Sequence, residues 1–355
     1  MLTYDQKAFD GNGAPMGKKL GATYTKDGKS YDNTGAFLEN ELSRIDPKMH
    51  MPLIDIQYDR DIDIRSDVTM ADEFSSFTVS TFGGAGGLGT GNAIGNGKHW
   101  VGKNSTAISG VSVDIGLITK PLRAWAIELA YDIFEIESSA KLGRPIDQQK
   151  FYAMQRMHEM EADEQAYIGD IPNGDAGLVN QASTVVTPVN VAVGSSQGST
   201  SWALKTPNEI LADVNTAVTA VWAASAYAVM PEKLLLPPAQ YGAISTALIS
   251  AAGSQSVLKY LKENWVGMAK EGKTLDIQPV KWLAGAGVGG TIGTAGAFDR
   301  MVIYTKREEF IRFPYVPMQR TPVEFRGLFH LSNYYGKMGV VEVVYPQTVG
   351  YFDAI

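Results

Sequence analysis

Residues 143–180 read GRPIDQQKFYAMQRMHEMEADEQAYIGDIPNGDAGLVN. From Asp147 to Ile168 there is neither glycine nor proline, and Phe151, Met154, Met157 and Ala162 recur at spacings close to three or four, the period of one helical face. Pro145 stands just before them, where a first helical turn tolerates proline. The spacing predicts a helix over 147–168, about 33 Å long at 1.5 Å per residue. Gly169 and then Pro172 stop it, as a C-terminal glycine and a later proline usually do. The helix runs into a loop of small residues with no catalytic cluster, so by itself it is core scaffolding, and its flanks decide what it supports.

The chain has 355 residues, 45% of them hydrophobic, enough for about two compact domains with real cores. Charged residues are 19%, against about a quarter in typical globular domains, which predicts surface hidden against neighbours. The net charge of −7 and the lack of any Lys/Arg run argue against tight nucleic-acid binding, which depends on phosphate neutralisation. With no cysteine, disulfides, thiolate metal sites and cysteine nucleophiles are excluded; synthesis in a reducing compartment fits. MLTYDQKAFDGNG at the N-terminus lacks a basic segment followed by an apolar run, so no signal peptide is expected. The most apolar stretch, 214–230, is interrupted by Asn215, Thr216, Thr219 and Ser225 and reads as an alanine-rich buried helix instead of a membrane span.

Residues 1–35 scatter six glycines among lysines and hydroxyl residues and read as an arm. Leu38, Leu42 and Ile45 mark a short helix ended by Pro47. Over 54–64, Ile54, Ile56, Tyr58, Ile62 and Ile64 alternate with Asp55, Gln57, Asp59, Asp61 and Asp63, predicting a strand with one wet face. Asp59, Asp61 and Asp63 match the first three ligand positions of a calcium loop, but Ile64 and Met70 occupy the positions that need glycine and a bidentate glutamate. A second strand is predicted from Phe74 to Phe82, followed by GGAGGLGTGNAIGNG at 83–97. Gly84, Gly86 and Gly89 satisfy the dinucleotide spacing formally, yet no helix follows to receive a pyrophosphate. A phosphate loop fails too, because His99 follows Lys98 and Asn92 stands where its first glycine belongs. The stretch reads as a flexible tip joining two strands, the second marked by Val111, Val113, Ile115 and Leu117. A ribbon of this length buries little alone and is expected to lie on a neighbouring subunit.

Residues 181–205 read as a loop or extended crossing. Thr206, Pro207 and Glu209 form a capping-box start for a helix over 208–227. A buried strand at 233–236, a helix to 250 and another over SVLKYLKENW follow, then strands at 277–283 and 301–304 around the glycine-rich AGAGVGGTIGTAG. Val341, Val343 and Tyr345 alternate in a closing strand before a proline turn and an aromatic tail. The histidines, His50, His99, His158 and His330, lie in four segments without metal-ligand spacing; His158 reads as a surface or core-edge residue. GSTS at 198–201 lacks the closing glycine of a nucleophile elbow. Glu159, Glu161, Asp163 and Glu164 crowd one helix end and read as solvated. No catalytic, cofactor-binding or metal-binding residues are assigned, and the chain is not expected to be an enzyme.

A glycine-rich arm, a short helix, a long glycine-tipped ribbon, the return KPLRAWAIELAYDIFEI, the long helix with GDIPNGDAGLVN, an α/β region and a final strand follow in that order. This order resembles the major capsid proteins of tailed bacteriophages, an α+β class of Hong Kong 97 type, and the resemblance covers almost the whole chain. It implies an N-terminal arm at 1–50, a peripheral-domain strand at 51–73 and an extended loop at 74–117. It further implies a peripheral domain with the spine helix at 118–180, an axial α/β domain at 181–305 and a return to the peripheral domain at 306–355. It implies self-assembly as pentamers and hexamers into an icosahedral head shell around a phage genome. The partners it implies are separate scaffolding, portal and decoration proteins and weak, non-specific contact with packaged double-stranded DNA, with no membrane. The protein would reside in the virion after synthesis in the host cytoplasm. The arm lacks the long charged scaffolding segment of some family members. Others crosslink a ribbon lysine to an asparagine; Lys98 or Lys103 with Asn333 would be the pair, in surroundings that give no positive sign. The tip at 83–97, the arm and the loop at 285–296 are the expected hinges between quasi-equivalent positions. An encapsulin-like nanocompartment shell, a nucleotide-binding enzyme using 83–97 and a tail-tube protein are the alternatives.

Overall fold

The computed structural model describes residues 23–26, 29–32, 52–84, 103, 111–142, 146–249 and 255–355. Two compact units divide the chain, Met1–Leu53 and Ile54–Ile355. In the first, β1 (Thr23–Lys26) and β2 (Lys29–Asp32) pair antiparallel with Lys26 opposite Lys29. The arm therefore holds a hairpin. Its signal was Asp27-Gly28, the dipeptide that two-residue hairpins favour. The helix expected around 38–45, His50, and the tip with Gly86, Gly89, Lys98 and His99 lie outside the described residues.

The second unit opens with a correction. Residues 54–64 are not one strand: α1 (Tyr58–Asp61) is a single helical turn and β3 (Asp63–Arg65) is short. Alternation assumed water beside every aspartate, but Asp61 is fully buried and so is Ile62; a buried ion pair overrides the period. Next come β4 (Phe74–Gly84), the 22-residue β5 (Val111–Asp132) and α2 (Ile133–Leu142).

The long helix, α3 (Ile146–Tyr167), has the expected span. Its last carbonyls, which have no partner within a helix, are capped by the loop that follows. Leu178 N–H donates to the Ala166 carbonyl (2.9 Å), Val179 N–H to Tyr167 (3.0 Å) and Gly177 N–H to Ile168 (2.9 Å). So close a return requires glycine: a Cβ at Gly177 would lie 2.2 Å from the Tyr167 carbonyl. Gly169, at φ +75°, makes the turn itself.

Then follow β6 (Val189–Asn190), α4 (Pro207–Ala224), β7 (Lys233–Leu236), α5 (Pro238–Thr246), α6 (Val257–Asn264) and α7 (Val266–Glu271). The chain continues through β8 (Asp276–Pro279), β9 (Arg300–Tyr304), β10 (Ile311–Arg320) and β11 (Glu324–Arg326). It ends in β12 (Phe329–Gly339), β13 (Glu342–Val343) and β14 (Val349–Asp353). One sheet has seven strands, in the order β13-β10-β12-β5-β4 with β11 on β12 and β3 on β10. The other has five, in the order β6-β14-β9-β7-β8. The final strand joins the second sheet, between β6 and β9.

β7 and β9 are buried along their whole length, as strands covered on both faces must be. Leu235, Val302 and Tyr304 point into a core shared with Tyr167, Leu178, Phe313 and Val341. Leu234, Leu236, Met301 and Ile303 point the other way, to Ile210, Val214 and Val218 of α4 and to Leu261 of α6. One apolar core therefore joins the long helix, the first sheet and the second.

Candidate assembly surfaces

Charge anchors the ribbon at its root. Glu342, fully buried, accepts hydrogen bonds from Arg312 Nε (2.6 Å) and Ser75 Oγ and lies 3.4 Å from Arg65 Nη1. Arg65 also donates to Ser75 Oγ (2.9 Å) and to the Ser76 carbonyl (3.2 Å). A buried carboxylate is costly unless paired and hydrogen-bonded; satisfying this one ties β3, β4, β10 and β13 at a single point. β5 changes partner at the same level, pairing with β12 from Leu122 onward and with β4 from Val111 to Pro121.

Beyond the root the ribbon is bare. Every residue of β5 from 113 to 119 is exposed. Val113, Ile115 and Leu117 share one face by their spacing of two, with Ile115 and Leu117 68% and 66% exposed. Across the ladder Ile115 lies opposite Ser80 and Leu117 opposite Thr78, while Val113 lies opposite Phe82. Full burial of such side chains yields about 1.5–3 kcal/mol each, a gain this face forgoes in the single subunit. A second exposed apolar group, Phe325, Leu328 and Phe329, sits at the β11–β12 turn. Its sequence signal is Gly327 between aromatic residues.

The buried polar groups tie elements together. Asp61 accepts two hydrogen bonds from Arg60 (2.8 Å each) and one from the Tyr167 hydroxyl, and Lys233 Nζ lies 2.9 Å away. Tyr304 donates its hydroxyl proton to the Asp61 carbonyl at 2.7 Å. Arg300 holds Asp353 through two bonds (2.6 and 2.8 Å), donates to the Val179 carbonyl (2.7 Å) and lies over the Tyr351 ring. That clamp fastens the Gly-Leu-Val-Asn loop after α3 to β9 and β14. Asp299 accepts from the backbone N–H of Gly285 (2.8 Å) and Gly296 (3.1 Å) and from Gln240 (2.6 Å). The glycine loop expected to act as a hinge is thereby closed on itself; a Cβ at Gly285 would lie 2.0 Å from the Thr291 carbonyl.

Other sequence candidates fall as follows. Asp59 is exposed, Asp61 is internal and Asp63 lies 3.5 Å from Lys306, so the three aspartates do not converge. Asp163, expected to be solvated, is buried and accepts from Gln57 N–H (2.9 Å) and Trp282 Nε1 (2.8 Å). His158 is also buried, with Nε2 2.9 Å from the Tyr315 hydroxyl and its ring 4.2 Å from that of Trp125. Burial pushes its pKa down, against the pull of Glu161 and Glu159. His330 packs edge-on against Phe325. The 198–201 segment follows a turn at 195–197, closed by Gly198 N–H on the Gly194 carbonyl (3.0 Å). The capping box is present: Thr206 N–H donates to Glu209 Oε2 at 2.8 Å. Hydrogen bonds from Ser196, Thr206 and Ser195 hold the Glu209 carboxyl well below the usual carboxylate range. Lys103 is exposed, and Asn333 lies in β12 with its backbone bonded to Thr321. Among the described residues no group of three or more acidic or histidine side chains could hold a metal. No helix among them is long and apolar enough to cross a membrane.

A family model described as major capsid protein matches residues 97–355, well over half of the chain. The chain belongs to that family. It forms the shell of a phage head, and its place is the capsid of the virion. The fold agrees. The capsid protein of Myoviridae phage XM1 superposes with a TM-score of 0.68 at 14% identity, over 89% of this chain and 98% of that one. The capsid of the native GTA particle gives 0.57 at 12% identity, over 90% and 98%. Mycobacterium phage Adephagia gives 0.54 at 10%, over 91% and 98%. These likenesses establish the Hong Kong 97-type fold. No curated protein matches the chain significantly.

Proposed function

We propose that this major capsid protein assembles as pentamers and hexamers into an icosahedral shell around a phage genome. The ribbon of each subunit, 74–117, lies across a neighbour. The arm takes in 1–50, the peripheral part 51–73 and 118–180 with most of 306–355, and the axial part 181–305. The pairing of β14 with β6 and β9 supports counting 349–353 with the axial part. The chain acts as a structural protein and not as an enzyme. It is synthesised in the host cytoplasm and works with separate scaffolding, portal and decoration proteins. Contact with packaged DNA is weak and non-specific, in keeping with a net charge of −7.

One observation carries this reading: the anchored ribbon root with a bare apolar face beyond it. A rigid base and an uncovered outer stretch suit a strap that finds its cover on another copy. Negative-stain electron microscopy of the purified protein, with size-exclusion chromatography, tests it. Closed shells, or five- and six-membered rings that close when a scaffold is added, are expected. A monomer that never assembles under any condition would overturn it.

A further inference from the structure

A groove of about 280 Å³ runs between α4, the edge strand β6 and β14. Thr216, Ala220 and Ala224 form its helical wall and Gly350 part of its floor. The floor is low because α4 packs close there: a Cβ at Gly350 would lie 2.4 Å from Val221. The groove continues onto the exposed crest of α4, formed by Ala212, Asn215, Thr216, Thr219, Ala220 and Ala223, which carries no charge. Charge depletion of this kind marks the centre of protein interfaces, where a solvated helix face would normally carry Lys and Glu.

On the opposite flank of α4 the backbone is strained. Ala226 and Tyr227 both have positive φ, 52° and 63°, a conformation uncommon for any residue with a side chain and an outlier for a bulky one. The turn is held by Tyr227 N–H on the Trp222 carbonyl (2.9 Å) and by Val229 N–H on Ser225 Oγ (3.2 Å). Its result is to stand the Tyr227 ring edge-on against Trp222, 52% exposed. Val266 and Met268 of α7 are exposed on the same module, and Lys270 of α7 covers the Trp222 ring.

We propose that Tyr227 is a knob that enters the α4–β6–β14 groove of the next copy, making this contact a directional, head-to-tail one. The inference rests on the shell reading above and supplies the residues of one contact within it. Three facts select a second copy as occupant. The family forms shells from many copies of one chain. A head-to-tail contact that closes into a ring needs two different, complementary patches on opposite sides of one module, which the two flanks of α4 provide. The groove's acidic lining residue, Asp213, is buried and paired with Lys205 (2.5 Å), and the groove is large enough for an aromatic ring, an engineered apolar cavity of about 150 Å³ being sufficient for benzene. A rigid aromatic held outward is also the side-chain type that dominates interface energetics.

The chain has no cysteine, so a disulfide probe is unambiguous. Ala220→Cys in the groove and Ala228→Cys beside the knob, both exposed, are introduced singly and together, and the assembled particles are oxidised. The double variant should give a ladder of covalent oligomers up to the ring size on non-reducing gels, and the single variants should stay monomeric. In parallel, Tyr227→Gly should lower particle yield at least tenfold while the unassembled subunit melts no lower than wild type, since glycine accepts the positive φ. Particles of the double variant that form without a ladder overturn the proposal. So do dimers from Ala220→Cys alone, which would mean groove meeting groove. If the wild-type chain forms no particle at all, it is the shell reading that fails.

Discussion

Replacing Asp61 by Asn removes the charge at the junction of α1, α3, β7 and β9 while keeping the side chain's shape. The amide turns one acceptor oxygen into a donor facing Arg60, Lys233 and the Tyr167 hydroxyl, which are all donors. Breaking a buried ion pair by changing one partner costs about 3–5 kcal/mol. The low end applies, because Arg60 is about one-third exposed and Lys233 keeps the Arg60 carbonyl (2.7 Å) and Asp276 (3.1 Å). With an unfolding entropy of about 2.1 cal/mol/K per residue over roughly 300 residues, a loss of about 3 kcal/mol lowers Tm by about 5 °C. Burial alone would raise the Asp61 pKa, but hydrogen bonds from Arg60 and Tyr167 and the charge of Lys233 outweigh it and hold it below 3.8. The ionised pair therefore contributes fully above about pH 4, and its contribution is lost as pH falls toward the depressed folded value. Thermal unfolding of the unassembled chain by near-ultraviolet circular dichroism should show the full gap between variant and wild type at pH 7 and a smaller one below pH 4. A Tm difference under about 1 °C at pH 7 would refute the assignment of Asp61 as the junction's organising charge.

Three further outcomes are expected. His158 is held neutral by burial, so wild type should lose stability as pH falls from about 6.5 toward its depressed folded pKa; His158→Phe should flatten urea midpoints in that window, and equal slopes would count against the buried neutral ring. Gly177→Ala puts a methyl 2.2 Å from the Tyr167 carbonyl and should cost about 3 kcal/mol or more. Gly174→Ala, at φ +76° in open space, should cost about 1 kcal/mol, and denaturant titration ranks the two. Ile115→Asp with Leu117→Asp should leave subunit stability within about 0.5 kcal/mol yet abolish particles in electron micrographs; normal shells would show that this face is never covered.

Much of the architecture was legible because local chemistry and tertiary role agree. The 147–168 helix, the capping box at Thr206 and Glu209, and the Leu-Leu-Leu strand are specified by period, caps and burial on both faces. Where they conflict, the period misled. Asp61 and Asp163 sit in polar positions of a plausible pattern, but each is pulled inward by partners more than 50 residues away, such as Tyr167 for Asp61 and Trp282 for Asp163. Gly285, Gly287 and Gly290 of the 285–296 loop looked like freedom and serve close packing, while Gly293 and Gly296 stand in open space.

The sequence by itself determined the long helix, the capped helix after Thr206 and the Leu-Leu-Leu strand, the exclusion of thiol chemistry, and a resemblance broad enough to name a family. It did so because helix periodicity, capping and turn residues act over a few positions of chain. Only the tertiary structure decided which carboxylates are buried, that the last strand completes the second sheet, and which apolar faces are left bare. Those properties depend on what distant segments bring to one place, and a one-dimensional pattern holds no record of it.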